Sequence, residues 1–175
     1  MFPGDLLLPD MKLWGSVENY YPALCQFFSQ IEEKLGGQVC IAAHPKSDHG
    51  DRPAYFGGRP VFKNQTFQMV RDCRFLITHA STAIGYAVIY RKPVVFITTN
   101  EAEKDIKFSV EIAESARSLG KAAVNIDSPL SIDWEAELQV NYPMYEEYMN
   151  SYVKKSGSEN LNTWQIFSNR IKRFK

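Results

Sequence analysis

Apolar residues along this 175-residue chain come in two patterns: short unbroken runs, and longer segments in which they recur every three or four positions. The unbroken runs are Val39-Cys40-Ile41-Ala42-Ala43, Phe75-Leu76-Ile77 and Val94-Val95-Phe96-Ile97, and Ala122-Ala123-Val124-Asn125-Ile126 reads as a further strand interrupted by one Asn. Each has the length and bulk of a strand buried on both faces. Val61-Phe62-Lys63 is a shorter candidate strand. Between the runs lie helical patterns. Residues 19–35 place Tyr21, Leu24, Phe28, Ile31 and Leu35 on one stripe, with Pro22 in the first turn and Gly36-Gly37 as the stop. Residues 66–72 predict a short helix with Phe67 and Val70 inward, and residues 83–90 a buried one. Residues 101–119 predict a single helix with Ile106, Val110, Ala113 and Ala116 or Arg117 in line, ending at Gly120. Residues 142–153 and 161–174 predict two terminal helices. The stripe Leu161, Trp164, Phe167, Ile171 and Phe174 makes the last of them a helix that must dock on something.

Continuous apolar strands alternating with helices imply a sheet covered on both faces. The expected fold is therefore α/β, a Rossmann-like three-layer domain with a mostly parallel sheet and two terminal helices. Three parts are expected: an extended lead-in or linker over residues 1–18, a Rossmann-like nucleotide-binding core over 19–128, and carboxyl-terminal helices over 129–175 that pack on the core.

The chain is organised around residues 75–90, where a strand, a small polar turn and an apolar helix follow one another. Ser81 or Thr82 is placed to cap that helix, since a hydroxyl oxygen accepts from the orphan N–H groups of a first turn. Open α/β sheets bind ligands outside the carboxyl ends of their strands. The residues there are His44-Pro45, Thr78-His79-Ala80-Ser81-Thr82 and Thr98-Thr99-Asn100-Glu101, so all three sets are expected on one rim. Ser81 and Thr82 are then candidates to hold a phosphate, with His44 donating to the same group. Imidazole suits that task because a nearby dianion raises its pKa. Glu101 or Asn100 is a candidate acceptor for ribose hydroxyls, and Lys46 with Arg52 or Arg59 a source of screening charge. A plainer reading stands beside each of these. The hydroxyls do no more than cap a helix, His79 is a satisfied core histidine, and Glu101 is a first-turn acid on the helix dipole.

Composition narrows the classes. Apolar content of 45% and charged content of 23% are those of a globular domain. Twenty basic residues balance twenty acidic ones, so no global field argues for a nucleic-acid partner. The three cysteines, Cys25, Cys40 and Cys73, form no CxxC pair and read as buried reduced thiols of a cytoplasmic protein. The chain has no basic leader before an apolar stretch, and no apolar run approaches a bilayer span.

Other chemistries lack their residues. There is no GxxxxGK[ST], no GxGxxG and no GxSxG. His44, Asp48, His49 and Asp51 can be drawn as a metal site, but their spacing matches no recurring ligand pattern. No metal cofactor is expected.

Ala42-Ala43-His44-Pro45, followed by Thr78-His79-Ala80-Ser81-Thr82, resembles the HP motif and the later Ser-Ser/Thr motif of bacterial sialyltransferases and polysialyltransferases. Similar pairs occur in capsule and teichoic-acid polymerases. Residues 56–61 and 91–99 also look like bacterial surface-polysaccharide transferases, so that the likeness runs from Tyr20 to Ile126. The resemblance implies the carboxyl-terminal, donor-binding half of a GT-B glycosyltransferase using a CMP-sugar or UDP-sugar. Carried over residue by residue, His44 with Pro45 contacts the donor phosphate and is the catalytic contribution, and Ser81 and Thr82 hydrogen-bond that phosphate. The family's amino-terminal domain and its acidic base have no counterpart here, which implies a missing domain or a partner subunit. Two rivals remain: the nucleotide half of a UDP-sugar 2-epimerase-like enzyme, and a non-catalytic binding module. Under the last, the stripe over residues 161–174 is an interface. Its basic edge, Arg170, Lys172, Arg173 and Lys175, faces a protein or the inner surface of the bacterial membrane.

Overall fold

The computed structural model describes residues 15–45, 47, 53–128, 132–159 and 161–173. Helix α1 (Val17–Leu35) opens the described chain and buries Tyr20, Tyr21, Leu24, Phe27, Phe28 and Ile31. It starts two residues earlier than the periodicity predicts, so Pro22 lies inside the helix rather than in its first turn. Gly36 and Gly37 stop it, both at positive φ, where a side chain would be strained. Strand β1 (Ile41–Ala43) follows, then a single 3₁₀ turn at Pro53–Phe56, strand β2 (Val61–Lys63) and helix α2 (Thr66–Asp72). Strand β3 (Leu76–Thr78), helix α3 (Ala83–Ile89) and strand β4 (Val94–Thr98) make the central unit.

The predicted helix over residues 101–119 is two helices, α4 (Asn100–Lys104) and α5 (Ile106–Arg117). Asp105 divides them: its backbone is extended, and its carboxylate accepts from Phe108 N–H at 3.0 Å. Ile106 and Val110, expected inward, are 80% and 53% exposed, while Ile112 and Ala116 are buried. Strand β5 (Val124–Asn125), helices α6 (Trp134–Glu137) and α7 (Tyr142–Tyr148), a π turn at Met149–Val153 and helix α8 (Thr163–Lys172) complete the chain.

Two parallel sheets result, β1-β2 and β3-β4-β5. The second is registered with Thr78 opposite Phe96 and Thr98 opposite Asn125. All five residues of β4 are buried, and the four apolar ones alternate between two cores. Val95 and Ile97 join α1, Ile41, Phe56 and Trp134 on one side. Val94 and Phe96 join Ala83, Ala87 and Val88 of α3, Ala116, Leu119 and Tyr145 on the other. Side chains of a strand point to alternate faces, so β4 is sandwiched between helical layers. The fold is α/β, compatible with a Rossmann-like three-layer domain.

Departures from the sequence pattern fall at the edges. β3 is only half-buried because it flanks β4 on one side. Phe67, expected inward, is exposed and packs edge-on against Tyr86 and Tyr90. Of the cysteines, Cys40 is exposed, whereas burial pushes the thiols of Cys25 and Cys73 up from their ordinary pKa. Trp134 and Tyr145 seat α6 and α7 on the two cores. Helix α8, expected to dock, keeps Trp164, Phe167 and Ile171 in solvent.

Candidate functional site

Parallel strands deliver their carboxyl ends to one rim, and in the β3-β4-β5 sheet that rim carries Ser81, Thr82, Thr99, Asn100, Asn125 and Asp127. Ser81 is the residue that caps α3: its Oγ accepts from Ala83 N–H at 3.2 Å, and its carbonyl accepts from Ile84 N–H at 3.1 Å. The bond from Ala83 uses the Ser81 hydroxyl oxygen as acceptor only, and a hydroxyl can donate its proton as well. Thr82, next in line, makes no side-chain capping bond. Both residues are exposed. Together they offer two hydroxyl donors at the mouth of the sheet.

His79 belongs elsewhere. It is buried, with Nδ1 2.7 Å from the carbonyl oxygen of Ile97 and Nε2 2.8 Å from the Tyr20 hydroxyl. A carbonyl only accepts, so Nδ1 carries the proton and bare Nε2 accepts from Tyr20. Burial drives its pKa down to about 3, against the opposing pull of the Ile97 carbonyl. His79, expected to bind the donor, is instead a neutral core histidine linking α1, β3 and β4.

Glu101 is also redirected. Its carboxylate accepts from Ser16 N–H at 2.6 Å, from Ser16 Oγ at 3.0 Å and from Asn19 Nδ2 at 3.0 Å. The Ser16 N–H bond, the largest of these influences, holds the carboxyl below its ordinary pKa. Ser16 is the residue at which α1 begins. Glu101 thus caps a helix that lies 85 residues upstream of Ser16's partner position and is occupied without a sugar.

Arg59, expected to supply screening charge, is an internal partner as well. Its guanidinium donates to Glu32 Oε1 at 3.1 Å and Oε2 at 2.6 Å, and to the Phe56 carbonyl and Ser29 Oγ. The Arg59 bond holds Glu32 below its usual pKa, and Val39 N–H adds to it. Arg59 therefore fixes the Pro53–Phe56 turn to α1, where Tyr55 stacks on Tyr21 at 4.1 Å.

His44 and Pro45 end β1 in the two-stranded sheet, which does not hydrogen-bond to the three-stranded one among the described residues. The sequence expectation of one continuous rim is corrected here to two rims that share a core through α1. The His-Pro pair is a reverse turn. The His44 carbonyl accepts from Ser47 N–H at 2.9 Å and from Ser47 Oγ at 2.7 Å, with Pro45 second in the turn, where its fixed φ is suited. Ser47 is buried beneath the turn while His44 and Pro45 are exposed. Lys46, Asp48, His49, Asp51 and Arg52 lie outside the described residues. Among the described residues no cluster of three His, Cys, Asp or Glu side chains is placed to hold a metal.

Sequence reasoning missed the acid and amide that complete the three-stranded rim. Asp127, just past β5, accepts from Asn100 N–H at 2.7 Å, and Asn125 Nδ2 donates to Asn100 Oδ1 at 2.9 Å and Glu103 Oε1 at 3.0 Å. The available signal was position: Asp127 follows β5 as Asn100 follows β4. No protein-family model, curated protein or solved structure matches the chain.

Proposed function

We propose that the chain is the donor-binding domain of a glycosyltransferase of bacterial surface polysaccharide biosynthesis, sialyltransferase-like and using a CMP-sugar. The observation that carries this reading is a pair of exposed polar turns at the carboxyl ends of parallel strands: His44-Pro45 after β1 and Ser81-Thr82 after β3. In this reading Ser81 and Thr82 donate hydroxyl hydrogens to the donor phosphate. His44 supplies a further donor, and Pro45 fixes the turn that carries it. Their catalytic share is electrostatic, stabilising charge on the departing nucleotide phosphate. No metal takes part. His79 and Glu101 play no direct part, being held by Tyr20, Ile97, Ser16 and Asn19. The base that activates the acceptor hydroxyl comes from a second domain or partner subunit, and the enzyme works in the bacterial cytoplasm at the inner face of the membrane. A UDP-sugar 2-epimerase-like half uses the same fold with a different nucleotide.

Calorimetric titration of the chain with CMP, CDP and UDP tests the reading. Weak binding of a cytidine nucleotide is expected, and His44→Ala is expected to weaken it by about 1.5–3 kcal/mol, the worth of a hydrogen bond to a charged group. Preference for UDP would favour the epimerase-like assignment. Absence of heat with all three would overturn nucleotide binding.

A further inference from the structure

Helix α8 turns its apolar side away from the protein. Trp164, Phe167 and Ile171 are exposed by 78%, 55% and 47%, with the Trp164 ring edge-on to Phe167 at 6.2 Å. At about 100° per residue these three lie on one face. Ile166, on the opposite face, is the single residue of α8 that is not exposed. The helix is defined locally, by a capping box in which Asn162 and Gln165 bond reciprocally.

The neutral total charge conceals a segregation. Residues 150–175 hold six of the twenty basic residues and one of the twenty acidic ones, leaving fourteen basic and nineteen acidic residues before them. On α8 the charged residues are Arg170 and Lys172, with Arg173 at its end. Arg170 and Lys172 project roughly 100° to either side of the apolar stripe, so the stripe is flanked on both sides by cations and by no acid.

We infer that α8 docks the protein on an anionic phospholipid surface, lying in its plane. Trp164, Phe167 and Ile171 enter the headgroup boundary while Arg170 and Lys172 reach the lipid phosphates alongside. Charge selects this occupant. A second copy laid face to face would bring the flanking cations of two helices together, and a nucleic-acid duplex would engage the cations but leave both aromatic rings in water. Among the described residues no helix is long and apolar enough to cross a membrane, so the attachment is interfacial. The inference is independent of nucleotide binding, which involves none of the residues of α8.

Co-sedimentation of the full chain with phosphatidylcholine vesicles, with and without phosphatidylglycerol, tests it. Partition onto the anionic vesicles is expected, and little onto the neutral ones. Arg170→Gln with Lys172→Gln weakens partition about thirtyfold, each charge being worth about fivefold. Trp164→Ser with Phe167→Ser weakens it at least about tenfold. All four side chains are exposed, so circular dichroism of both variants matches that of the unaltered chain. No partition onto anionic vesicles overturns the inference, as does partition that neither double variant changes. Self-association lost in the Trp164 and Phe167 variant, with no vesicle binding, assigns the face to a second copy instead.

Discussion

The Tyr20 hydroxyl donates to Nε2 of His79 at 2.8 Å, joining the first helix to the end of β3 across 59 residues of chain. That bond and the one to the Ile97 carbonyl fix the ring, and burial keeps the imidazole neutral. Its consequence is a dependence of stability on acid. In the unfolded chain His79 takes a proton below about pH 6.5, whereas in the folded protein it does so only near pH 3. Between those limits the unfolded state binds more protons, so stability falls as pH falls. This one group contributes at most about 1.4 kcal/mol per pH unit. Urea unfolding between about pH 7 and about pH 5 is expected to be less steep in pH for His79→Gln than for the unaltered protein. Equal slopes would contradict the burial of a neutral imidazole.

Ser81 and Thr82 make a pair of variants with opposite signatures. Ser81→Ala removes the acceptor for Ala83 N–H and is expected to cost about 0.5–2 kcal/mol of stability, as other cap deletions do. Thr82→Val touches no cap and is expected to stay within about 0.5 kcal/mol in stability, yet to weaken cytidine nucleotide binding about tenfold or more. Thermal unfolding and calorimetry on the same samples separate the two. A Thr82 variant that binds nucleotide normally would reduce the pair to helix capping.

Arg59→Ala leaves Glu32 with Val39 N–H but without its guanidinium. The Arg59 side chain is 9% exposed and Glu32 25%, so the loss is moderated by water, and about 1–3 kcal/mol of stability is expected to go. Nucleotide affinity is expected to hold within about twofold, since the guanidinium faces α1. A large loss of affinity with little loss of stability would restore Arg59 to the site.

Removal of the Glu101 carboxylate frees the start of α1. In Glu101→Ala the amides at the beginning of α1 are expected to exchange hydrogen faster, and α5 amides to be unaffected. Because the folded carboxyl has a lowered pKa, its contribution is present above about pH 4.3 and is lost as pH falls through the lower folded value. Unchanged exchange at residues 17–20 would argue that solvent suffices at the start of α1.

Gly120 stands at φ 70°, and a Cβ there would lie 2.8 Å from Asn141 Nδ2 and 3.3 Å from Met144 Cγ. Asn141 caps α7. Gly120→Ala is therefore expected to cost about 1–3 kcal/mol, from the left-handed backbone and the displaced cap together. Chemical denaturation reads it directly.

Apolar runs and periodic stripes carried the α/β class, the order of elements and most of the core, because burial of β4 or of Leu24 and Phe28 depends on residues next to one another in sequence. Asp105 marks where that stops. The helix restarts there, and the face of α5 that turns inward carries Ile112 and Ala116 rather than Ile106 and Val110, a choice that no local pattern announces. The fates of the polar residues were decided by the tertiary structure alone. His79 and Glu101 both sit where a ligand-binding rim was expected, but their partners arrive from α1, 59 and 85 residues away. Desolvation then makes those bonds obligatory for a buried imidazole, and an unpaired helix start draws the carboxylate. A strand's hydrophobicity is written in its own residues, whereas the role of a polar side chain is set by whichever distant donor the fold brings within about 3 Å.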